Sequence, residues 1–408
     1  MSKQYKRWMS ESLKRALDKR RIVVISGERQ CGKTTLSKQI ELKDSIFRSL
    51  DDVTLLKAAI DDPKEFIKHS HGTMIIDEVQ KAPQLLSAIK QTVDLDSRTG
   101  QFLLTGSADI KNLPQVSESL AGRIKNIRLR TLANGEILEN EPKFIQMLFN
   151  NEFPAQIKGY NKTEILKIAF RGGYPEVVNF SDVDRKDWHL DYVDTLLTRD
   201  LKNIANIRRN TALQEQVKIL TAWSSKFLDI PGMCSKLAIA RTTFDSYVGV
   251  LEALYLFERV SPWSKTDYSG VGRKDKIFVT DTGIMASVLN WNFEEVRLNP
   301  ERSGKIVETL VFKELSIQSD ICGCHIYHYR DRENREIDFI IESSNGIIAC
   351  IEVKSGSVVS KNDFKHIRWF KNNIAKNQNV ISIILYSGED TVSFGDGLWA
   401  VPIAALWS

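Results

Sequence analysis

No stretch of the 408 residues approaches the 18 or so consecutive apolar residues needed to span a bilayer, so a membrane partner is not expected. The first residues lack the apolar core of a secretory signal, which makes the cytoplasm the expected compartment. Cysteine is scarce and irregularly placed, at 31, 234, 322, 324 and 350. Such spacing gives no even framework and excludes a small fold stapled by disulfides. Fixed-period repeats and low-complexity tracts are absent too, which excludes solenoid and disordered classes. Neither sign of charge dominates: 57 Lys and Arg against 52 Asp and Glu leave a net charge of +5. That balance is compatible with a polyanionic partner without demanding one. Seven of the basic residues fall within Met1 to Arg20, against two acidic ones. This segment reads as the solvated face of a helix around Trp8, Leu13 and Leu17, with a nucleic-acid arm as the alternative.

What is present is an ordinary folded composition, 42% hydrophobic and 27% charged, in a chain too long for one core. Two or three domains are therefore expected. Up to about residue 135, short apolar runs at 22–26, 73–77 and 101–105 alternate with amphipathic stretches. That pattern predicts buried parallel strands in a three-layer α/β domain. Helical periodicity dominates 136–205, broken at Gly172-Gly173-Tyr174-Pro175, as in a helical lid. Residues 206–298 read as helix, turn, helix, with helices over 214–226 and 242–254, the second capped by Thr242 or Thr243. Apolar segments at 257–263 and 276–280 follow, around a polar loop bearing Lys265, Arg273 and Lys274. This is the layout of a winged helix-turn-helix. From 299 to 408 a helix at 306–316 precedes strands at 326–330, 337–342, 347–353 and 380–386.

Gly27-Glu28-Arg29-Gln30-Cys31-Gly32-Lys33-Thr34 fits a phosphate-binding loop, following an apolar strand and opening a helix. Main-chain N–H groups from Gly27 to Thr35 would cradle phosphates, Lys33 would answer their charge, and Thr34 would offer its hydroxyl to Mg²⁺. Met74-Ile75-Ile76-Asp77-Glu78 supplies the companion acidic pair, Asp77 for the Mg²⁺ shell and Glu78 to polarise the attacking water. The pattern points to Mg·ATP. A third strand ends in Leu104-Thr105-Gly106-Ser107, which offers Ser107 as a polar sensor of the γ-phosphate or as a helix cap. Arg123 and Arg199 compete for the role of stabilising transition-state charge, Arg123 in cis or in a neighbouring copy. Action across copies would imply a homo-oligomer, ring or dimer.

Taken together, Arg29-Gln30, Asp77-Glu78-Val79-Gln80, Leu104-Thr105-Gly106-Ser107, Ser119-Leu120-Ala121-Gly122-Arg123, Gly172-Gly173-Tyr174-Pro175-Glu176 and Arg199-Asp200 resemble the prokaryotic AAA-type ATPases of the archaeal-type group. The resemblance covers nearly the whole chain. It implies an AAA-type P-loop NTPase domain with a helical lid, a winged helix and an α/β restriction-endonuclease-like C-terminal domain. In that family Lys33, Thr34, Asp77 and Glu78 would be the nucleotide and hydrolysis residues. Glu28 stands where the family commonly has proline, which sets a carboxylate near the phosphates' approach.

In the last domain Asp338 lies on one strand, and Glu352 and Lys354 share a face of the next by alternation. With Glu308 on the preceding helix, Asp338 and Glu352 could bind Mg²⁺ while Lys354 positions water or steadies phosphate charge. This is the arrangement of restriction-type nucleases, although such domains can also serve only to bind DNA. Cys322-Gly323-Cys324-His325 lacks a second ligand pair for zinc, His69 and His71 lack partners, and Trp188, Trp223 and Trp369 read as core. Two functions follow. In one, ATP state alters how the winged helix, through Lys236, Thr242, Thr243, Arg273 and Lys274, and the nuclease-like domain hold or cut DNA. In the other, a signalling or scaffold ATPase acts through protein partners with an inert last domain. A conflict-system effector with an ATP-licensed nuclease is a third.

Overall fold

The computed structural model describes residues 3–40, 42, 44–69, 71–106, 122–200, 210–265, 274–376 and 378–408. The chain divides into two compact units, Met1–Leu132 with Ala253–Tyr255, and Ala133–Glu252 with Leu256–Ser408. Among the described residues no helix is long and apolar enough to cross a membrane.

The first unit is a five-stranded parallel sheet: β1 (Ile22–Gly27), β2 (Ile46–Ser49), β3 (Met74–Asp77), β4 (Phe102–Gly106) and β5 (Ile124–Leu129), in the order β2-β3-β4-β1-β5. Every residue of β1, β3 and β4 is buried, which is why their sequences read as unbroken apolar runs. The expected parallel sheet is present. Edge strand β2 is partly exposed and β5 alternates apolar with charged residues, so neither announces itself as a buried run. Helices α1 (Met9–Lys19), α2 (Lys33–Gln39), α3 (Val53–Asp61), α4 (Pro63–Phe66) and α5 (Leu85–Leu95) complete the unit. In α1, Met9, Leu13 and Leu17 recur every four residues and are buried, so the basic residues between them lie on a solvated face. Residues of α5, Leu85, Leu86, Ile89 and Val93, pack with Ile22, Val24, Ile76 and Leu104 in one core. Each such side chain contributes about 2 kcal/mol when fully buried.

The second unit opens with α6 (Asn134–Ile137), α7 (Phe144–Asn150), α8 (Lys162–Arg171) and α9 (Asp182–Thr195), the last running into a π-helical turn Leu196–Asp200. Next come α10 (Asn210–Ala222), β6 (Lys226–Phe227), α11 (Ile230–Leu237), α12 (Arg241–Ala253), β7 (Phe257–Val260) and β8 (Lys276–Val279), the strands forming a sheet in the order β6-β8-β7. Because α12 begins at Arg241, Thr242 and Thr243 lie inside its first turn and do not cap it. After α13 (Thr282–Val288) and α14 (Phe293–Leu298), the helix expected at 306–316 is α15 (Pro300–Cys322), lengthened by an Asn299 cap and Pro300 at its start. It precedes β9 (His325–Arg330), β10 (Glu336–Glu342), β11 (Ile348–Lys354), α16 (Lys365–Asn373), β12 (Val380–Tyr386), β13 (Val392–Ser393) and β14 (Leu398–Pro402). Their sheet runs β13-β14-β12-β11-β10-β9.

Helix α15 is buried along most of its length, and its polar residues serve as internal connectors. Glu314 accepts the Asn134 N–H at 2.9 Å, and Gln318 accepts from Phe144 N at 3.0 Å while donating to Leu406 O at 2.7 Å. The break at Gly172-Gly173 docks on Asp281. Gly172 has φ +70°, and a Cβ there would stand 2.3 Å from Asp281 Oδ1, so only glycine fits. Asp281 accepts from Gly173 N at 2.8 Å and Gly283 N at 2.9 Å, with Lys313 Nζ at 3.5 Å. The tryptophans expected in the core are half-buried. Trp188 stacks on Tyr192, Trp223 donates to Phe227 O, and Trp369 carries the Arg335 guanidinium 3.5 Å from its ring.

His189 shares this network, with Nδ1 3.0 Å from Ser287 Oγ. Burial pushes its pKa down to about 4, against the opposing pull of Asp281. The folded state thus binds this proton less readily than the unfolded chain, so stability is intact above pH 6.5 and drains away as pH falls towards 4. The expected outcome is that wild type loses up to about 3 kcal/mol relative to His189→Gln between pH 7 and pH 4. Urea unfolding at each pH checks it; parallel curves for the two proteins would contradict it.

Candidate functional site

The C-terminal ends of β1, β3 and β4 lie side by side, because β4 runs between the other two. In parallel α/β sheets this edge is where ligands bind. Here it gathers the loop at residues 27–32, the Asp77-Glu78 pair and Thr105. Gly27 has φ +149°, and a Cβ there would stand 2.0 Å from the Leu129 carbonyl, so β5 presses the loop too closely for any other residue. The loop is tied down behind. Arg7, buried, donates to Cys31 O and Arg130 O, each at 2.7 Å, and Cys31 Sγ approaches Leu129 O at 3.3 Å. Burial raises the Cys31 thiol pKa, so the group stays neutral.

Lys33 opens α2 and is buried, its ammonium donating to Gly27 O at 3.1 Å and Glu28 O at 2.6 Å. Thr34 Oγ1 donates to Asp77 Oδ1 at 2.9 Å. Asp77 also receives the hydroxyls of Ser49, at 3.3 Å, and Thr105. Thr105 Oγ1 in turn accepts the Glu78 N–H at 3.3 Å. Glu78 sits in a left-handed turn with its carboxylate held by the Gln80 amide. Glu28 is turned away from the loop mouth: it is buried and faces Arg128 at 3.4 Å. The departure from proline therefore does not put a free carboxylate in the phosphates' path. Arg29 is half-buried, while Gln30 and Thr35 are exposed around the loop.

A buried ammonium beside main-chain N–H groups, with a hydroxyl and a carboxylate poised together, fits Mg·ATP. Lys33 and the loop N–H groups would hold the phosphates, and Thr34 and Asp77 the metal.

Other expected residues stand elsewhere. Ser107 lies outside the described residues, and the described hydroxyl of that strand is Thr105. Arg123 precedes β5, whose Ile124 pairs with Ile22 at the far end of β1, about 16 Å from Gly27 at strand rise. It forks onto Asp94, Nε to Oδ1 at 2.5 Å and Nη2 to Oδ2 at 3.2 Å. The register thus sets it at the opposite end of β1 from its own chain's loop. Arg199 falls in the π-helical turn after α9. Sequence reasoning missed Arg7, Ser49 and Arg128; an arginine or serine so far from the motif leaves no local signal.

A second cluster lies in the other unit. Asp338 sits at a register shift of β10 against β9, a bulge that re-aims its side chain. Its Oδ2 accepts from Val353 N at 2.9 Å. Glu308 from α15 and Glu336 converge on the same point, but what they meet is Lys276 of β8. Its ammonium lies 2.6 Å from Glu308, 2.9 Å from Glu336 and 3.0 Å from Asp338, with its side chain 1% exposed. Burial opposes the Lys276 charge, yet the three carboxylates raise its pKa well above the ordinary value. Burial, then Asp338, push Glu308 up to about 8, and burial with Asp338 raises Glu352 well above the carboxylate range. Among the described residues no three His, Cys, Asp or Glu side chains are arranged to hold a metal ion. Of the expected set, Glu308 and Asp338 thus face a lysine from β8, with Glu336 beside them. Lys354 is half-exposed and pairs with Asp363 at 3.5 Å.

Comparison with known proteins bears on these units separately. Residues 19–138 match the AAA domain family, 162–295 a domain of unknown function (DUF8612) and 303–406 another (DUF4143). Two uncharacterized proteins, from Mycobacterium tuberculosis and Mycobacterium bovis, are each 25% identical over 96% of this chain and 82% of their own. The Walker-type ATPase of Pyrococcus abyssi aligns with 69% of this chain and 94% of its own, at 13% identity and a TM-score of 0.41. The AAA domain match over residues 19–138 and the geometry of the loop within it together support an ATPase.

Proposed function

We propose that the chain is an Mg²⁺-dependent ATP hydrolase whose nucleotide state governs a DNA-associated module formed by its winged-helix and nuclease-like segments. The observation that carries the hydrolase reading is the Thr34 hydroxyl bonded to Asp77, which brings the residues of a metal-nucleotide site together. Lys33 exchanges the carbonyls of Gly27 and Glu28 for phosphate oxygens. Bound Mg²⁺ would supply charge neutralisation at the triphosphate. Glu78, steadied by Gln80, takes up a proton from water at its carboxylate. Thr105 keeps Asp77 and the Glu78 backbone in register.

The order α10-β6-α11-α12-β7-β8, with β6 paired to β8, supports the winged-helix reading. Lys236, Arg241 and Thr242 are exposed and Thr243 half-buried, as a groove-facing helix requires. Arg273 lies outside the described residues. Helix α15 followed by antiparallel β9, β10 and β11, with β12 parallel to β11, supports the nuclease-like reading. Lys276 among the carboxylates favours the second reading, a signalling or scaffold ATPase whose last domain does not cut.

Lys33→Ala is expected to abolish nucleotide binding, whereas Glu78→Gln retains binding and lowers turnover by about 10²-fold or more; phosphate release and fluorescent-nucleotide titration read the two separately. Should Glu78→Gln turn over at the wild-type rate, the assignment of the base fails. Thr105→Val leaves Asp77 with only the Thr34 and Ser49 hydroxyls of its three and is expected to cost about 1–3 kcal/mol of stability in thermal unfolding, with ATPase activity reduced and overall structure unchanged. DNA affinity should fall steeply between 50 and 200 mM salt if phosphates are contacted; a flat dependence, with ATPase activity intact, turns the reading to protein partners.

A further inference from the structure

A cavity of about 820 Å³ opens among α8, α9, α13 and α14, all within the second unit. Cavities of roughly 300–1,000 Å³ are the size that small-molecule sites occupy. Three aromatic side chains line this one: Phe170 near the end of α8, Trp291, and Phe293 at the start of α14. Each is half-buried, so ring surface remains open to solvent within a concave wall. Phe170 and Phe293 meet edge to face with 5.3 Å between ring centroids, which joins the two helices at an apolar corner. A flat apolar group laid against these rings would remove that surface from water.

The charged side chains of the wall cancel. Acidic and basic residues line the cavity in equal number, and several are paired with each other, Lys167 with Glu164 at 2.8 Å and Arg185 with Asp182 at 2.7 Å. The lining therefore presents no surplus of one sign that would select an ion. His189, only 1% exposed, belongs to the same lining, and the two edges of its ring are inequivalent. Ser287 Oγ donates to Gly283 O at 2.9 Å, so its hydrogen is spent and it accepts from His189 Nδ1–H at 3.0 Å. The proton is thereby placed on Nδ1, and Nε2 keeps its lone pair. Among the described residues Nε2 has no hydrogen-bond partner, although it is buried. A buried acceptor in that state is costly, and a ligand N–H or O–H would satisfy it. Burial, which pushes the ring's pKa down to about 4, keeps it an acceptor at neutral pH.

We propose that this cavity binds an uncharged aromatic molecule bearing an N–H or O–H donor, its ring against Phe170, Trp291 and Phe293 and its donor on His189 Nε2. The rings alone would admit any flat apolar compound, and the acceptor selects among them. A charged ligand would find its sign opposed as often as answered. No residue of the phosphate loop or of the cluster around Lys276 lines the cavity, so the proposal is independent of ATP hydrolysis and of DNA.

Indole serves as the probe, being flat, uncharged and equipped with one N–H; N-methylindole lacks the donor, and indole-3-acetate adds a negative charge. Calorimetric titration of the full chain is expected to give indole a Kd of about 1 mM or tighter. N-methylindole should bind about tenfold more weakly, the loss of one hydrogen bond to a buried acceptor, and indole-3-acetate no tighter than indole. His189→Phe should bring indole and N-methylindole to equal affinity, and Phe293→Ala should weaken both. Lys33→Ala should bind indole as wild type does, which separates this cavity from the nucleotide site. Wild type that takes up no indole overturns the proposal. So does equal binding of indole and N-methylindole by wild type, preference for the carboxylate, a tenfold preference that survives in folded His189→Phe, or loss of indole binding in folded Lys33→Ala. If the variants fail to fold, the three compounds measured on wild type decide by themselves.

Discussion

A charge withdrawn from water must be met by an opposite charge or by N–H and O–H donors, and both units of this protein are organised around that requirement. In the first, Asp77 is buried at the end of β3 and collects hydroxyls from Thr34, Ser49 and Thr105. Four elements are thereby fixed to one carboxylate. In the second, Lys276 is buried and collects three carboxylates, and Asp281 does the converse with Lys313 and the N–H groups of Gly173, Gly283 and Ile284.

The two arrangements differ in what they leave for a ligand. Around Asp77 the donors are hydroxyls, and Lys33 donates to the carbonyls of Gly27 and Glu28, so the described partners are neutral groups that can be exchanged at modest cost. Around Lys276 the partners are carboxylates about a buried ammonium, and removing one partner of a buried pair costs about 3–5 kcal/mol. The first site is poised to bind. The second already holds a lysine among its carboxylates.

Legibility in the sequence followed the range of the interactions. β1, β3 and β4 were readable because burial on both faces writes a continuous apolar run, whereas β2 and β5, partly exposed, were not. Asp77 and Glu78 were readable because they end such a run. Arg123 drew attention from its motif, but the register of β5 against β1 sets it at the opposite end of the sheet. Asp338 and Glu308 were readable as acidic residues near strands, yet Glu336 and Lys276 were not, since no local pattern ties a lysine at 276 to a glutamate at 308.

By itself, the sequence determined the phosphate loop, the acidic pair and the parallel sheet that positions them, because each is specified by neighbours a few residues apart through backbone geometry and periodicity. Only the tertiary structure decided which buried charges meet. Those pairings join residues 24 to 123 positions apart, as Arg7 does to Cys31 and Arg130, or strands of different sheets, as Lys276 does to Asp338. Electrostatic matching acts on distance in space and is indifferent to distance along the chain.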